Sequence, residues 1–185
     1  FLMTDRFNNG DKSNDVNYNR TKTTGKLRGF EGGDLKGIIQ KIDEGYFTKL
    51  GINVIWFTPV VEQIHDGVDE GTGFSYGFHG YWTRDWTALD PNFGTKKDLV
   101  ELVKKAHAKG IRIMLDGVIN HTGPVTETDT VWPEGWVRTE HKCQYSNFEN
   151  TTACTLVANL PDVKTESKVE VTLPPFLIEK WKAEG

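Results

Sequence analysis

The sequence predicts an α/β fold built on parallel strands, and three observations carry that expectation. Helical apolar spacing alternates with short, nearly unbroken apolar runs along residues 34–115. The helix-to-strand connections are brief, and the apolar runs end in polar or turn-forming residues. This alternation is the pattern of right-handed βαβ units sharing one sheet.

The elements follow in chain order. Phe1 to Met3 is an apolar segment expected to form the first strand, and the polar stretch Asn8 to Glu31 is too long for a plain connection. Asp34 stands at an N-cap position before Leu35, Ile38, Ile39, Ile42 and Tyr46, whose spacing predicts a helix that Gly51 stops. Ile52 to Phe57, closed by Thr58-Pro59, reads as a strand buried on both faces. Thr95 and Asp98 cap a second helix with the stripe Leu99, Leu102, Val103 and Ala106, ended by Gly110. Ile111 to Leu115 is the next buried strand. After Asp116 the periodicity disappears until about Pro174, where Phe176, Leu177, Lys180 and Trp181 suggest a last helix. Residues 118–172 therefore read as an insertion of irregular or short antiparallel structure.

Composition narrows the function. With 37% hydrophobic and 11% aromatic residues, the chain has enough apolar surface to fold. The 22 Lys plus Arg against 26 Asp plus Glu give a net charge of −4, which lacks the basic excess of a nucleic-acid binder. No apolar run reaches the roughly 18 residues of a membrane span, and any signal peptide is expected to be absent from the chain as given. Cys143 and Cys154, close together in a Thr- and Asn-rich stretch, form either a short-range disulfide in an exported protein or two free thiols.

Three groups of residues have the makings of a site. Ligands of parallel α/β sheets gather beyond the carboxyl ends of the strands. There Asp116, Asn120 and His121 bring a carboxylate, an amide and an imidazole, which would also suit a capped turn. Tyr76 to Trp82 interleaves aromatics with glycines and His79. Flat rings stack on pyranose faces and imidazoles bond sugar hydroxyls, although such aromatics also anchor cores. Asn9, Asp11, Asn14 and Asp15 cluster side-chain oxygens that suit a hard cation or a solvated turn. This is not an EF-hand, since the sixth position is Asn14 and the twelfth is Arg20. The triplets at Asn120 and Asn150 match the glycosylation pattern, a frequent chance match. No phosphate loop, zinc-spaced Cys/His set or nucleophile elbow occurs.

Taken in order, these segments resemble the alpha-amylase family of glycoside hydrolases, family thirteen, which includes bacterial amylases and cyclodextrin glucanotransferases. The resemblance rests on Thr4-Asp5-Arg6-Phe7, Gly51 to Pro59, His79-Gly-Tyr-Trp82, Asp116 to His121 and Leu160-Pro-Asp162. It implies a partial (β/α)8 TIM barrel: the first three strand-helix units in residues 1–117, a domain B inserted at 118–172, and the third barrel helix at 173–185. The length of 185 residues falls short of the roughly 250 of a complete barrel, so the remainder of the barrel is the expected partner. An isolated three-strand piece would leave an unpaired edge and an uncovered inner face.

The resemblance also implies roles. His79, Tyr81, Trp82 and His121 line the sugar subsite of an alpha-glucan, with Tyr81 as stacking platform, and Asp116 is a supporting acid. Asn120 and Asp162 match calcium ligands of the inserted domain. Asn9, Asp11, Asn14, Asp15, the Gly32 carbonyl and Asp34 match a second calcium site of the glucanotransferase-like branch, with Asp34 also the expected helix cap. Retaining glycosidases use two carboxyl groups roughly 5 Å apart, and in this family they follow the fourth and fifth strands. No segment resembling the fourth-strand motif occurs before Gly185. These residues alone are therefore expected to be inactive, while the full-length protein is expected to be a calcium-dependent, secreted or periplasmic hydrolase of starch-like alpha-1,4 chains. Transglycosylation, or silent binding of glucan or a protein partner, are the alternatives.

Overall fold

The computed structural model describes residues 1–126, 128–129, 136–139, 142–145, 148, 151, 153–155 and 160–165. The helix expected beyond Pro174 and the Asn150 triplet lie outside the described residues.

The first expected strand is reduced to one bridging residue. Leu2 sits beside Phe57 in parallel, donating its N–H to the Trp56 carbonyl at 2.9 Å and accepting the Thr58 N–H at 3.1 Å. The chain then turns into the short helix α1 (Thr4–Phe7) and a 3-10 turn at Lys12–Asn14. Helix α2 (Leu35–Asp43) starts where Asp34 accepts the Gly37 N–H. It ends earlier than the apolar spacing predicts, because Gly45 adopts φ 71° and the left-handed residue separates α2 from α3 (Tyr46–Lys49).

Strand β1 (Val54–Phe57) pairs in parallel with β6 (Arg112–Leu115), in register from Val54 with Arg112 to Phe57 with Leu115. Between them lie β2 (Val61–Gln63), β3 (Val68–Asp69), β4 (Phe74–Ser75), β5 (Thr83–Leu89) and helix α4 (Lys96–Ala108). α4 opens with a complete Thr95/Asp98 capping box. The core joins Leu35, Ile38 and Ile42 of α2, Leu102 and Ala106 of α4, Ile55 and Phe57 of β1, and Phe93. Each fully buried Leu, Ile or Phe among them contributes roughly 1.5–3 kcal/mol.

Two sequence expectations are corrected. The strands at 52–57 and 111–115 are not buried on both faces: Ile55 and Phe57 are, but Val54, Trp56, Met114 and Leu115 are exposed. Helices pack on the face of Ile55 and Phe57, while on the other Phe1 meets Trp56 edge-on and Val54, Trp56 and Met114 stay exposed. Antiparallel pairs β2–β5 and β3–β4 also intervene before α4. Register shifts on both sides of Glu62 break the two-residue alternation that would have revealed β2 in the sequence.

Beyond β6, β7 (Val137–Arg138) pairs antiparallel with β8 (Asp162–Val163), which also bridges His121. Cys143 and Cys154 are joined by a disulfide. Among the described residues, no helix is long and apolar enough to cross a membrane.

Candidate functional site

Asp116 follows directly on β6, where the strand delivers its carboxylate to the end of the sheet. Its Oδ2 accepts the Tyr81 hydroxyl at 2.9 Å and the Trp56 indole N–H at 3.2 Å. Trp56 projects from the neighbouring strand, so Asp116 ties the two parallel strands to the loop bearing Tyr81. That loop turns at Gly80, φ 87°, where a Cβ would lie 2.2 Å from the Pro59 carbonyl oxygen. Glycine is required there by both conformation and space.

His79 is mostly enclosed. Its ring lies 5.9 Å from that of Tyr81 in a stacked arrangement and meets Trp82 edge-on at 4.9 Å. Nδ1 accepts the Tyr81 N–H at 3.0 Å, which leaves the proton on Nε2. Burial pushes the His79 pKa down to about 4, so the ring is neutral near pH 7. His121 reaches the same residue: its Nε2 lies 3.2 Å from the Tyr81 carbonyl and donates to it. Burial lowers its pKa too, against the opposing effect of that bond. Removal from water, then the Asp116 bond and charge, raise the Tyr81 phenol to about 12 and keep it a donor.

His79, Tyr81, His121 and Asp116 therefore form one connected group. Trp82 does not share their access. It is 7% exposed, its N–H donates to the Gln63 side chain at 2.7 Å, and its ring backs His79 from within the fold.

The first loop gathers its oxygens as follows. Asn9 donates from Nδ2 to Asp15 Oδ1 at 2.8 Å, and Asn14 donates from Nδ2 to Asp34 Oδ2 at 3.3 Å. The opposite atoms, Asn9 Oδ1 and Asn14 Oδ1, are buried and accept no hydrogen bond. Gly32, φ 88°, sits so close that a Cβ would fall 2.6 Å from Asp15 Oδ1. Two orphaned amide oxygens beside a carboxylate fit a hard cation such as calcium.

Asp34 and Asp11 sit differently. Asp34 takes the N–H groups of Gly10, Asp11 and Gly37 besides the Asn14 amide, filling the roughly four acceptor positions of a carboxylate, so it acts as cap and loop organiser. Asp11 faces Lys36 at 2.5 Å. That hydrogen bond, followed by those from Ser13, brings its pKa down to about 2. Among the described residues, no three His, Cys, Asp or Glu come together as metal ligands.

At the place the resemblance gives to Asn120 and Asp162, the fit to calcium fails. Asp162 already faces Arg138, whose Nη1 is 2.5 Å from Oδ2, and the exposed Asn120 turns its Nδ2 toward His121 Nδ1 at 3.4 Å.

The sequence reading missed two buried networks. Arg20, in the polar loop, donates to both oxygens of Asp90, to Asn92 and to the carbonyls of Gln63 and Ile64. Asp129 accepts the backbone N–H groups of His65 and Asp66 and the Thr126 hydroxyl, with Arg84 Nε 3.0 Å away. Thr126 is a local partner of Asp129, but both networks join segments more than 40 positions apart, which no local pattern reveals.

Residues 1–170 match the family described as the alpha amylase catalytic domain. The chain is 35% identical to the periplasmic alpha-amylase of Escherichia coli (strain K12), covering 97% of this chain and 34% of that protein. It is 40% identical to the cyclomaltodextrin glucanotransferase of Thermoanaerobacterium thermosulfurigenes, over 72% of this chain and 19% of that one. The chain thus spans about a third or less of the length of these relatives. Among solved structures, a cyclomaltodextrin glucanotransferase with a three-domain ABC distribution superposes with a TM-score of 0.79 at 29% identity, over 99% of this chain and 41% of that chain. The alpha-amylase of Geobacillus thermoleovorans complexed with acarbose does so at 0.69 and 30%, over 99% and 36%. On the match that spans nearly its whole length, the chain belongs to the alpha-amylase family, whose structural neighbours are TIM-barrel enzymes.

Proposed function

We propose that the chain is the N-terminal part of a retaining alpha-glucan hydrolase that cleaves alpha-1,4 bonds of starch-like chains. In this reading residues 1–117 supply three barrel units, 118–172 an inserted domain B, and 173–185 the third barrel helix. The observation that carries the proposal is the joined set of His79, Tyr81, His121 and Asp116: an aromatic platform flanked by two neutral imidazoles and held by a carboxylate. With Nδ1 of His79 and Nε2 of His121 engaged by the Tyr81 backbone, the His79 Nε2–H is left to donate to a sugar hydroxyl and His121 Nδ1 to accept from one. Tyr81 stacks on a pyranose face, and Asp116 fixes its phenol.

The reacting carboxyls come, in this proposal, from later barrel strands of the intact protein. That assignment is supported by the small share of its relatives that the chain spans. Calcium bound at the first loop would be held by Asn9, Asn14, Asp15 and the Gly32 carbonyl, where it would neutralise Asp15 and tie the loop together. The disulfide and the periplasmic relative support an exported location.

Transglycosylation is the second reading, favoured by 40% identity to a glucanotransferase and by the oxygen-rich first loop. Incubating the full-length protein with starch separates the readings. Linear reducing sugars support hydrolysis, cyclic products support transfer, and binding without turnover leaves only a silent glucan-binding domain.

A further inference from the structure

We propose that the guanidinium of Arg138, and not a metal ion, neutralises Asp162 and fastens the segment after β6 to itself. This inference stands apart from the reaction of the intact protein and concerns what holds its inserted segment.

Arg138 and Asp162 are directly opposite in the β7–β8 ladder, a position in which cross-strand side chains meet. Arg138 Nη1 lies 2.5 Å from Asp162 Oδ2, with the two side chains only 15% and 6% exposed. Burial raises the Asp162 pKa, and the Arg138 bond and charge oppose that rise. Asp162 also bridges His121, and its neighbour Val163 donates an N–H to the Asn120 carbonyl at 3.0 Å. The ion pair therefore sits where the inserted segment meets the strand end that carries His121.

A calcium ion takes six to eight oxygens at about 2.3–2.6 Å. Arginine keeps its charge at any ordinary pH, so a divalent ion on Asp162 would have to displace a permanent cation from an enclosed pair. The first loop presents the reverse case, with two buried amide oxygens left without donors and Lys36 engaged by Asp11. In this reading the same chemical need would be met at one place by an ion from solution and at the other by a side chain. Calcium dependence is accordingly confined to the first loop.

The test is a double-mutant cycle on the full-length protein, Arg138→Gln, Asp162→Asn and both, read as Tm in saturating calcium and in chelator. The expected result is that each single change lowers Tm by several degrees, that the double change lowers it little further, and that this coupling persists in calcium. Coupling that vanishes in saturating calcium overturns the proposal. Metal analysis of the unaltered protein decides the matter where a variant does not fold: no calcium at Asp162 is expected. A bound ion that persists in Asn14→Ala and is lost in Asp162→Asn overturns it. Absence of any bound calcium leaves Arg138 in its role and removes the first-loop assignment, so the two claims fail separately.

Discussion

The hydroxyl of Tyr81 donates to Oδ2 of Asp116 at 2.9 Å, linking residues 35 positions apart in the chain. The bond closes a circuit: Asp116 also holds Trp56 of β1, Tyr81 donates its N–H to His79, and its carbonyl takes the Nε2 proton of His121. The platform is thus immobilised at the ring, the hydroxyl and both backbone polar groups, before any sugar arrives.

Loss of that fixing is predicted to affect turnover more than folding. Tyr81→Phe keeps the ring and removes one hydrogen bond to a charged acceptor, about 1.5–3 kcal/mol, so kcat/KM on maltooligosaccharides falls by roughly 10- to 100-fold. Tyr81→Ala removes the platform as well and falls further. Steady-state kinetics of the full-length variants check this; equal loss in the two variants would show that the ring contributes nothing.

His79 gives a pH signature. Its pKa in the folded protein, about 4, lies below the ordinary value of 6.5, so between those values the unfolded chain binds more protons. Stability contributed by the neutral ring is therefore complete above about pH 6.5, declines as pH falls through that window, and is flat below about 4. His79→Gln, which cannot titrate, is expected to flatten this part of the Tm-against-pH curve.

Calcium at the first loop is expected to stabilise by mass action, about 2.7 kcal/mol when its concentration is one hundred times Kd. Chelator lowers Tm of the full-length protein, and Asn14→Ala or Asp15→Ala removes most of that response. Asp34→Ala is expected to lower Tm with or without calcium, because it strips the cap from α2 and four donors from their acceptor.

The buried pair of Arg20 and Asp90, 1% and 0% exposed at their side chains, ties the polar loop to the turn before α4. Arg20→Met leaves Asp90 charged and enclosed, a change that costs about 3–5 kcal/mol in such pairs. Urea unfolding is expected to show this loss, and the Arg20→Met/Asp90→Leu double variant to recover part of it.

The legible features of the sequence were those set by local chemistry. Capping pairs such as Thr95 with Asp98, and the α2 and α4 stripes, act within one or two turns and can be read directly. His79, Tyr81 and Asp116 could be singled out as candidates because ligands gather at strand ends and the motifs are short, and the structure joins them. Strand exposure followed from the three-strand reading and not from the strand residues themselves, since Val54-Ile55-Trp56-Phe57 looks alike whether or not a second wall covers it. The place of Trp82 against His79 was not legible, because sequence does not reveal which side of a neighbouring ring an indole occupies. Arg138, Arg20 and Asp129 were invisible for a different reason, since their partners come from remote segments.

The stereochemistry of the first product tests the central claim most directly. Proton NMR of maltooligosaccharide cleavage by the full-length protein follows the new reducing end before mutarotation. The account predicts the alpha anomer first, as a retaining mechanism requires. Initial appearance of the beta anomer, or no cleavage at all, would contradict it.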